Sequence, residues 1–229
     1  MREFILSAIV FSVVATAGVG AASENFSGIA FGDAYAFLGH HDDAVTDANG
    51  VWTRRVYFTY DNKPNDKLKF RFRLEAGSPG VAKDKGKIEP FAKDAYLQWT
   101  PGGDGASILL GLSGTPSFMG VESAWGYRHV EKTPADLYKL SGTRESGIGI
   151  KGELNSRLKY HVMVGNGNGT SSEDNKGKKY MGALGLSLTD DISLSGHFDF
   201  DDQKGPATFM TAQAVLLQNT SSYRWGLHF

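Results

Sequence analysis

Charged side chains alternate with apolar ones along one ten-residue stretch of the chain. Its odd positions are all charged and its even positions all apolar: Lys67, Lys69, Arg71, Arg73 and Glu75 against Leu68, Phe70, Phe72, Leu74 and Ala76. A period of two predicts a strand, because successive side chains of a strand point to opposite faces. Like charges two residues apart repel, so the charged face requires water or anions beside it.

Basic residues of other predicted strands extend this charged face. Together they form a set that we call the basic ladder: Arg55, Lys67, Lys69, Arg71, Arg73, Lys151, Lys159 and Lys179. Fewer carboxylates fall on the same faces, so an aqueous interior lined by the ladder would be mildly positive. Such a lining attracts anions and replaces part of their lost hydration. An equally good interpretation is that the ladder merely solvates a water-filled wall.

A segment of thirty residues, 114–143, interrupts the strand pattern and carries a second candidate site. Its candidate residues are aromatic or charged: Phe118, Glu122, Trp125, Tyr127, Arg128 and Lys132. Loops of this length are usually functional or disordered, and the aromatic side chains argue against disorder. Folded into a channel, the segment would set its diameter, and Arg128 and Lys132 would set the local field. The alternative is an external lid packed on neighbouring loops or subunits.

Signals for enzymatic chemistry are weak. His161 and His197 fall on charged strand faces near Asp199, but neither a nucleophile elbow nor an HExxH pattern accompanies them. The run His40-His41-Asp42-Asp43 places adjacent side chains apart on an extended loop. We therefore predict no catalytic residues, no bound metal and no cofactor.

Composition and the N-terminus bound the class of protein. The chain has 229 residues, no cysteine and a formal net charge of -1, which argues against extended nucleic-acid binding. The N-terminus is typical of a signal peptide, 1–22, cleaved after Ala22. It has a basic residue, Arg2, then an apolar run over 4–17 and small residues up to Ala22. An exported chain of this kind belongs in the periplasm or outer membrane of a bacterium.

The remaining residues, 23–229, alternate in about eleven predicted strands. These are 26–38, 51–60, 67–76, 91–100, 106–113, 145–153, 158–164, 178–188, 192–200, 207–217 and 221–229. Short turns and long loops follow one another in alternation, which is typical of an antiparallel transmembrane β-barrel with lipid outside and water inside. Bacterial barrels of one chain have an even strand number, so an odd count indicates either one uncounted strand, twelve in all, or a partial, incompletely closed barrel. We favour the partial barrel.

Several motifs resemble one protein family. They are Gly111-Leu112-Ser113-Gly114-Thr115-Pro116, Trp125-Gly126-Tyr127-Arg128, Lys132-Thr133-Pro134-Ala135-Asp136-Leu137 and Gly165-Asn166-Gly167-Asn168-Gly169-Thr170. The chain resembles the Gram-negative porins related to the phosphate-selective porins O and P. The resemblance implies a trimeric outer-membrane barrel of about sixteen strands whose third outer loop, here 114–143, folds inward. It implies passive diffusion of small hydrophilic solutes, with anions such as phosphate preferred. A non-conducting barrel acting as an adhesin or structural anchor is the alternative.

Overall fold

A computed structural model describes residues 15–21, 24–78, 80, 86–102, 105–202, 209–221 and 224–228. Twelve strands account for most of these residues. They are β1 Ala15–Ala21, β2 Glu24–Ala36, β3 Asn49–Asn65, β4 Leu68–Gly77, β5 Glu89–Trp99, β6 Ser107–Gly114, β7 Arg144–Asn155, β8 Leu158–Gly165, β9 Lys179–Ser187, β10 Ile192–Asp201, β11 Phe209–Asn219 and β12 Arg224–His228.

All twelve strands belong to one antiparallel sheet, and each pairs with its neighbours in chain order. The predicted all-β antiparallel fold is therefore confirmed, and the eleven strands after Ala22 match the predicted number. Within the described residues β1 and β12 are the two edges, so the sheet is open there. Because strands that are consecutive in the chain pair antiparallel, the connections alternate between the two ends of the sheet.

Alternation gives the sheet two contrasting faces. The outer face exposes large apolar side chains on successive strands, among them Phe58, Leu97, Ile148, Leu184 and Phe198. The inner face buries polar and charged side chains, among them Arg55, Thr59, Asp94, His161 and Asp199. A soluble sheet normally buries its apolar face, so this arrangement is reversed relative to a soluble protein.

Two details of β2 and β3 differ from the predictions. β3 continues to Asn65, beyond the predicted end at residue 60, and the turn that follows is closed by Asn65, whose Oδ1 accepts the N–H groups of Lys67 and Leu68. A bulge displaces the β2–β3 register between Phe31 and Gly32. Phe31 and Asp33 lie on the inner face, where Asp33 is buried 2.6 Å from Arg54.

The predicted signal peptide falls largely outside the described residues, which omit 1–14 and 22. Its remaining part, Ala15–Ala21, forms β1 and pairs with β2 in register from Ala15 opposite Ala30 to Ala21 opposite Glu24. Cleavage after Ala22 would remove β1 and leave β2 as an edge of the sheet.

The long segment 114–143 contains short helical pieces. A 3-10 turn spans Pro116–Phe118, helix α1 spans Val121–Trp125 and helix α2 spans Pro134–Leu137. Thr133 caps α2, because its hydroxyl accepts the backbone N–H of Asp136. In the part of the chain that is described, no helix has the length and apolar character needed to cross a membrane.

Candidate functional site

The long loop, 114–143, leaves the sheet between β6 and β7, and its two ends are joined to each other. Thr115 donates its hydroxyl to the carbonyl of Gly142 at 2.6 Å, and its backbone N–H bonds the carbonyl of Thr143 at 3.2 Å. The loop therefore starts and finishes at one narrow neck.

Close to this neck, two loop serines bind the inner face of β10. Ser117 Oγ lies 3.0 Å from His197 Nε2 and 2.6 Å from Ser141 Oγ. Ser141 donates in turn to Asp199 Oδ2 at 3.1 Å, and Lys179 of β9 lies 3.4 Å from the same oxygen. All five side chains are buried, and Asp199 is 0 % exposed.

The middle of the loop binds a different part of the sheet. Arg55 on β3 donates to the backbone carbonyl of Arg128 at 3.1 Å. Its neighbour Arg54 donates to the carbonyls of His129 and Val130. The loop thus contacts β3 and β10, which stand seven places apart in the strand order. The described part of the loop lies over the inner face of the sheet, and a constriction of a channel by the loop stays a prediction.

Phe118 and Glu122 line a large cavity beside the loop, which has a volume of about 510 Å³. Strands from β4 to β8 complete its wall. The cavity contains four cationic side chains and three carboxylates: Arg71, Arg144, Lys151 and Lys159 against Asp94, Glu122 and Glu153. The space beneath the loop is therefore polar and carries a small positive excess.

The other candidate residues of the loop lie away from this cavity. Trp125 and Tyr127 line a mainly apolar groove of about 220 Å³ with β11 and β12, and Lys132 lines one of about 300 Å³ beside Arg54 and Arg55. Arg128 pairs with Glu122 at 3.0 Å and Lys132 with Asp136 at 3.7 Å. Both cations proposed to set the local field are thus partly neutralised by carboxylates of the same loop.

The basic ladder lies on the inner face, except for Lys67, which is exposed in the turn between β3 and β4. Most of its members are paired with carboxylates. Asp61 binds Arg71 at 2.7 Å and Lys69 at 3.7 Å, while the buried Asp94 lies 3.3 Å from Arg73 and also binds Arg144.

Three further ladder members differ in their partners. Lys159 pairs with the exposed Glu153 at 3.0 Å, and Lys179 contacts Asp199. Among the described residues Lys151 has no carboxylate within ion-pair distance, although it lines the large cavity. Arg55 and Lys67 also lack a carboxylate partner among the described residues, but neither lines the large cavity. Of the ladder residues that line it, Lys151 is therefore the one whose charge is least compensated.

A carboxylate also organises the glycine-rich loop that follows β8. Glu145, 3 % exposed, accepts the backbone N–H groups of Ser146, Gly167 and Gly169 at 3.1, 3.1 and 3.2 Å. The Gly-Asn repeat therefore surrounds a side chain of its own protein, where a phosphate would sit in a nucleotide-binding loop.

At the tip of the same loop, Lys178 Nζ donates to Glu173 at 2.7 Å. This hydrogen bond, with another from the backbone N–H of Asn175, lowers the pKa of Glu173. Hydrogen bonds from the side chains of Asn168 and Asn175 lower the pKa of Asp174 in the same way. The tip is therefore held by ionised carboxylates at neutral pH.

The two histidines considered for catalysis occupy one row of the inner face. His161 and His197 both lie opposite Ala183, on its two sides, so one strand separates them. Asp199 approaches the same nitrogen of His197 that Ser117 contacts, at 3.7 Å, and this is not the arrangement of a catalytic triad. Across the described residues, no group of three or more potential ligands is placed to hold a metal ion.

Sequence reasoning missed Ser117, Ser141 and Arg144, which hold the loop and the ladder in place. Buried hydroxyls have no period or spacing that would single them out. Arg144 directly precedes the predicted strand 145–153, and this position was the one signal that could have identified it. Comparisons with protein-family models and with curated proteins found no match to this chain.

Proposed function

We propose that the chain forms an outer-membrane channel for the passive diffusion of small hydrophilic solutes, with a lean towards anions such as phosphate. The observation that carries the proposal is the long loop on the inner face, beside a polar cavity of about 510 Å³. A loop in that position narrows a water-filled passage without filling it.

The outer face supports a location in lipid. Large apolar side chains stand exposed on successive strands, for example Leu110 at 55 % and Val162 at 47 %. In water such a surface would be a strong aggregation hazard, whereas hydrocarbon accommodates it. Export by the predicted signal peptide, 1–22, and assembly as a homotrimer belong to the same proposal.

Charge supports a modest preference for anions. The large cavity holds one more cation than carboxylate, and Lys151 contributes most of the uncompensated field. Five of the eight ladder cations are paired with carboxylates: Lys69, Arg71, Arg73, Lys159 and Lys179. The preference we expect is therefore weaker than eight free basic residues would give.

The alternative function, a non-conducting barrel that serves as an adhesin or structural anchor, is favoured by one observation. The loop reaches from β10 to β3 and is bound at both places, as a plug would be.

Liposome swelling separates the two functions. Proteoliposomes containing the refolded chain are placed in iso-osmotic solutions of uncharged sugars of increasing size. A channel gives swelling rates that fall with solute size, and a plugged barrel gives no swelling with any sugar. Strand-rich circular dichroism of the same preparation establishes that the protein is folded.

A further inference from the structure

Four buried side chains join the long loop to the wall of the sheet, and we call them the loop anchor: Ser117, Ser141, His197 and Asp199. We propose that the loop anchor is the positioning device that fixes where the loop lies on the inner face. The role of the loop anchor is inferred from hydrogen-bond geometry and burial, and only its effect on solute passage rests on the proposed function.

The hydrogen bonds of the anchor run in one direction. An ionised carboxylate can only accept, so Ser141 donates to Asp199 Oδ2 at 3.1 Å. Ser141 Oγ is then free to accept from Ser117 at 2.6 Å, and Ser117 accepts from His197 Nε2 at 3.0 Å. Each hydroxyl donates once and accepts once, with the histidine neutral and protonated on Nε2. A single chain of hydrogen bonds thus begins and ends on β10 and passes through both serines of the loop.

Burial strengthens the effect of these hydrogen bonds on the position of the loop. Ser117 is 2 % exposed, Ser141 7 % and His197 8 %, so water does not replace a lost partner. If the loop were displaced, His197 and Asp199 on β10 would lose their hydrogen-bond partners in the loop. Asp199 would then keep its contact with the positive charge of Lys179. Displacing the loop therefore exposes several polar groups to an unfavourable environment at once.

The position of the anchor explains why it determines the path of the loop. The loop leaves the sheet between β6 and β7, and β10 lies three strands beyond β7, about 14 Å at the usual strand spacing. Two residues of the loop, 24 positions apart, meet at this point. Both limbs are therefore drawn over β8 and β9, while the contacts of Arg54 and Arg55 hold the tip at β3.

Because the chain contains no cysteine, one introduced cysteine can report on the loop. Tyr138, 72 % exposed, is a suitable site for a nitroxide label in the refolded full chain, as Tyr138→Cys. We expect Ser117→Ala combined with Ser141→Ala to convert a broad spectrum into one with a mobile component. The matched control is Ser195→Ala, on the same face of β10, because Ser195 makes no hydrogen bond to the described residues of the loop.

A second pair of variants guards against a failure to fold. His197→Gln retains an N–H group that can reach Ser117, so we expect the parent spectrum. His197→Leu removes that donor, and we expect the mobile component to appear. Restoration by glutamine distinguishes a hydrogen-bonding role from simple loss of packing.

The proposal is overturned if the double variant and His197→Leu both give the parent spectrum, or if His197→Gln and His197→Leu are equally mobile. Conductance of the same preparations is a separate readout. A mobile loop in a protein that never conducts would support the anchor and contradict the channel. A loop that stays immobile in the double variant and in His197→Leu, in a protein that conducts, would contradict the anchor and support the channel.

Discussion

Arg71 and Asp61 form a two-pronged ion pair across β3 and β4, with Nε 2.8 Å from Oδ1 and Nη2 2.7 Å from Oδ2. The geometry matches the planar guanidinium to the planar carboxylate, which is the strongest form of such a contact. This ion pair holds the Arg71 side chain against the inner face of the sheet and compensates the positive charge of Arg71. A ladder that sequence presents as a row of free cations is therefore largely an ordered network of opposite charges.

Lys151 is expected to govern ion preference more than its paired neighbours do. We predict that Lys151→Gln shifts the reversal potential in a salt gradient towards cations. The interaction energy of two unit charges ~10 Å apart in water is about 0.4 kcal/mol, which changes the local concentration of the ion by roughly two-fold. Lys63→Gln, which changes the same charge in an exposed turn, is the control and should leave the potential unchanged. Equal shifts in the two variants would show that only total charge matters.

Asp94 is expected to be the carboxylate on which the ladder's stability depends most. It is 2 % exposed and lies between Arg73 and Arg144. Asp94→Asn leaves two half-buried guanidinium groups without their shared anion, so we predict a loss of about 3 kcal/mol in the free energy of unfolding.

Denaturant unfolding in detergent, followed by tryptophan fluorescence, measures this loss. Glu153→Gln is the matched control, because Glu153 pairs with Lys159 at 3.0 Å but its side chain is 55 % exposed, and it should cost about 1 kcal/mol or less. Similar losses in the two variants would contradict the distinction between the two carboxylates.

Gly111 is expected to tolerate no side chain. Its φ of +115° is a conformation that other residues rarely adopt, and a Cβ would lie 2.4 Å from the carbonyl oxygen of Ala95. We predict that Gly111→Ala costs about 1–3 kcal/mol from backbone strain alone, measured by the same unfolding assay. Gly196→Ala, where the nearest atom to a Cβ is at 3.9 Å, should be close to neutral. A neutral Gly111→Ala would contradict the observed close approach of β5 and β6.

Glu145 is expected to order the glycine-rich loop after β8. Glu145→Ala removes the acceptor of the Gly167 and Gly169 amides, so we predict faster hydrogen exchange at both. Glu153→Ala lies on the same strand but is 55 % exposed and serves as the control. Unchanged exchange in Glu145→Ala would mean that the loop is ordered by other contacts.

Alternation along single strands was enough to predict the sheet. The period of two from Lys67 to Ala76 predicted β4, and the same rule gave the other ten strands after Ala22. It gave β2 as a strand but not the bulge beside Phe31 or the ion pair of Asp33 with Arg54, because both depend on the neighbouring strand. It also ended β3 too early, since the residues before Asn65 have the composition of a turn.

The candidate site was only partly predictable. Loop length and aromatic content singled out 114–143 as a candidate site, and the inward path was among the predictions. The contact of Ser117 with His197 joins residues 80 positions apart, and no local pattern encodes it. Pairing of Arg128 with Glu122 could have been foreseen from their spacing in one loop, but the sequence alone does not give their orientation.

Planar-bilayer recording of the refolded chain in a salt gradient tests the central claim most directly. The proposed channel predicts stable unitary current steps with a reversal potential displaced towards anions. Absence of steps from folded, strand-rich protein would contradict a channel, and steps with a cation-biased potential would contradict the role given to Lys151 and the ladder.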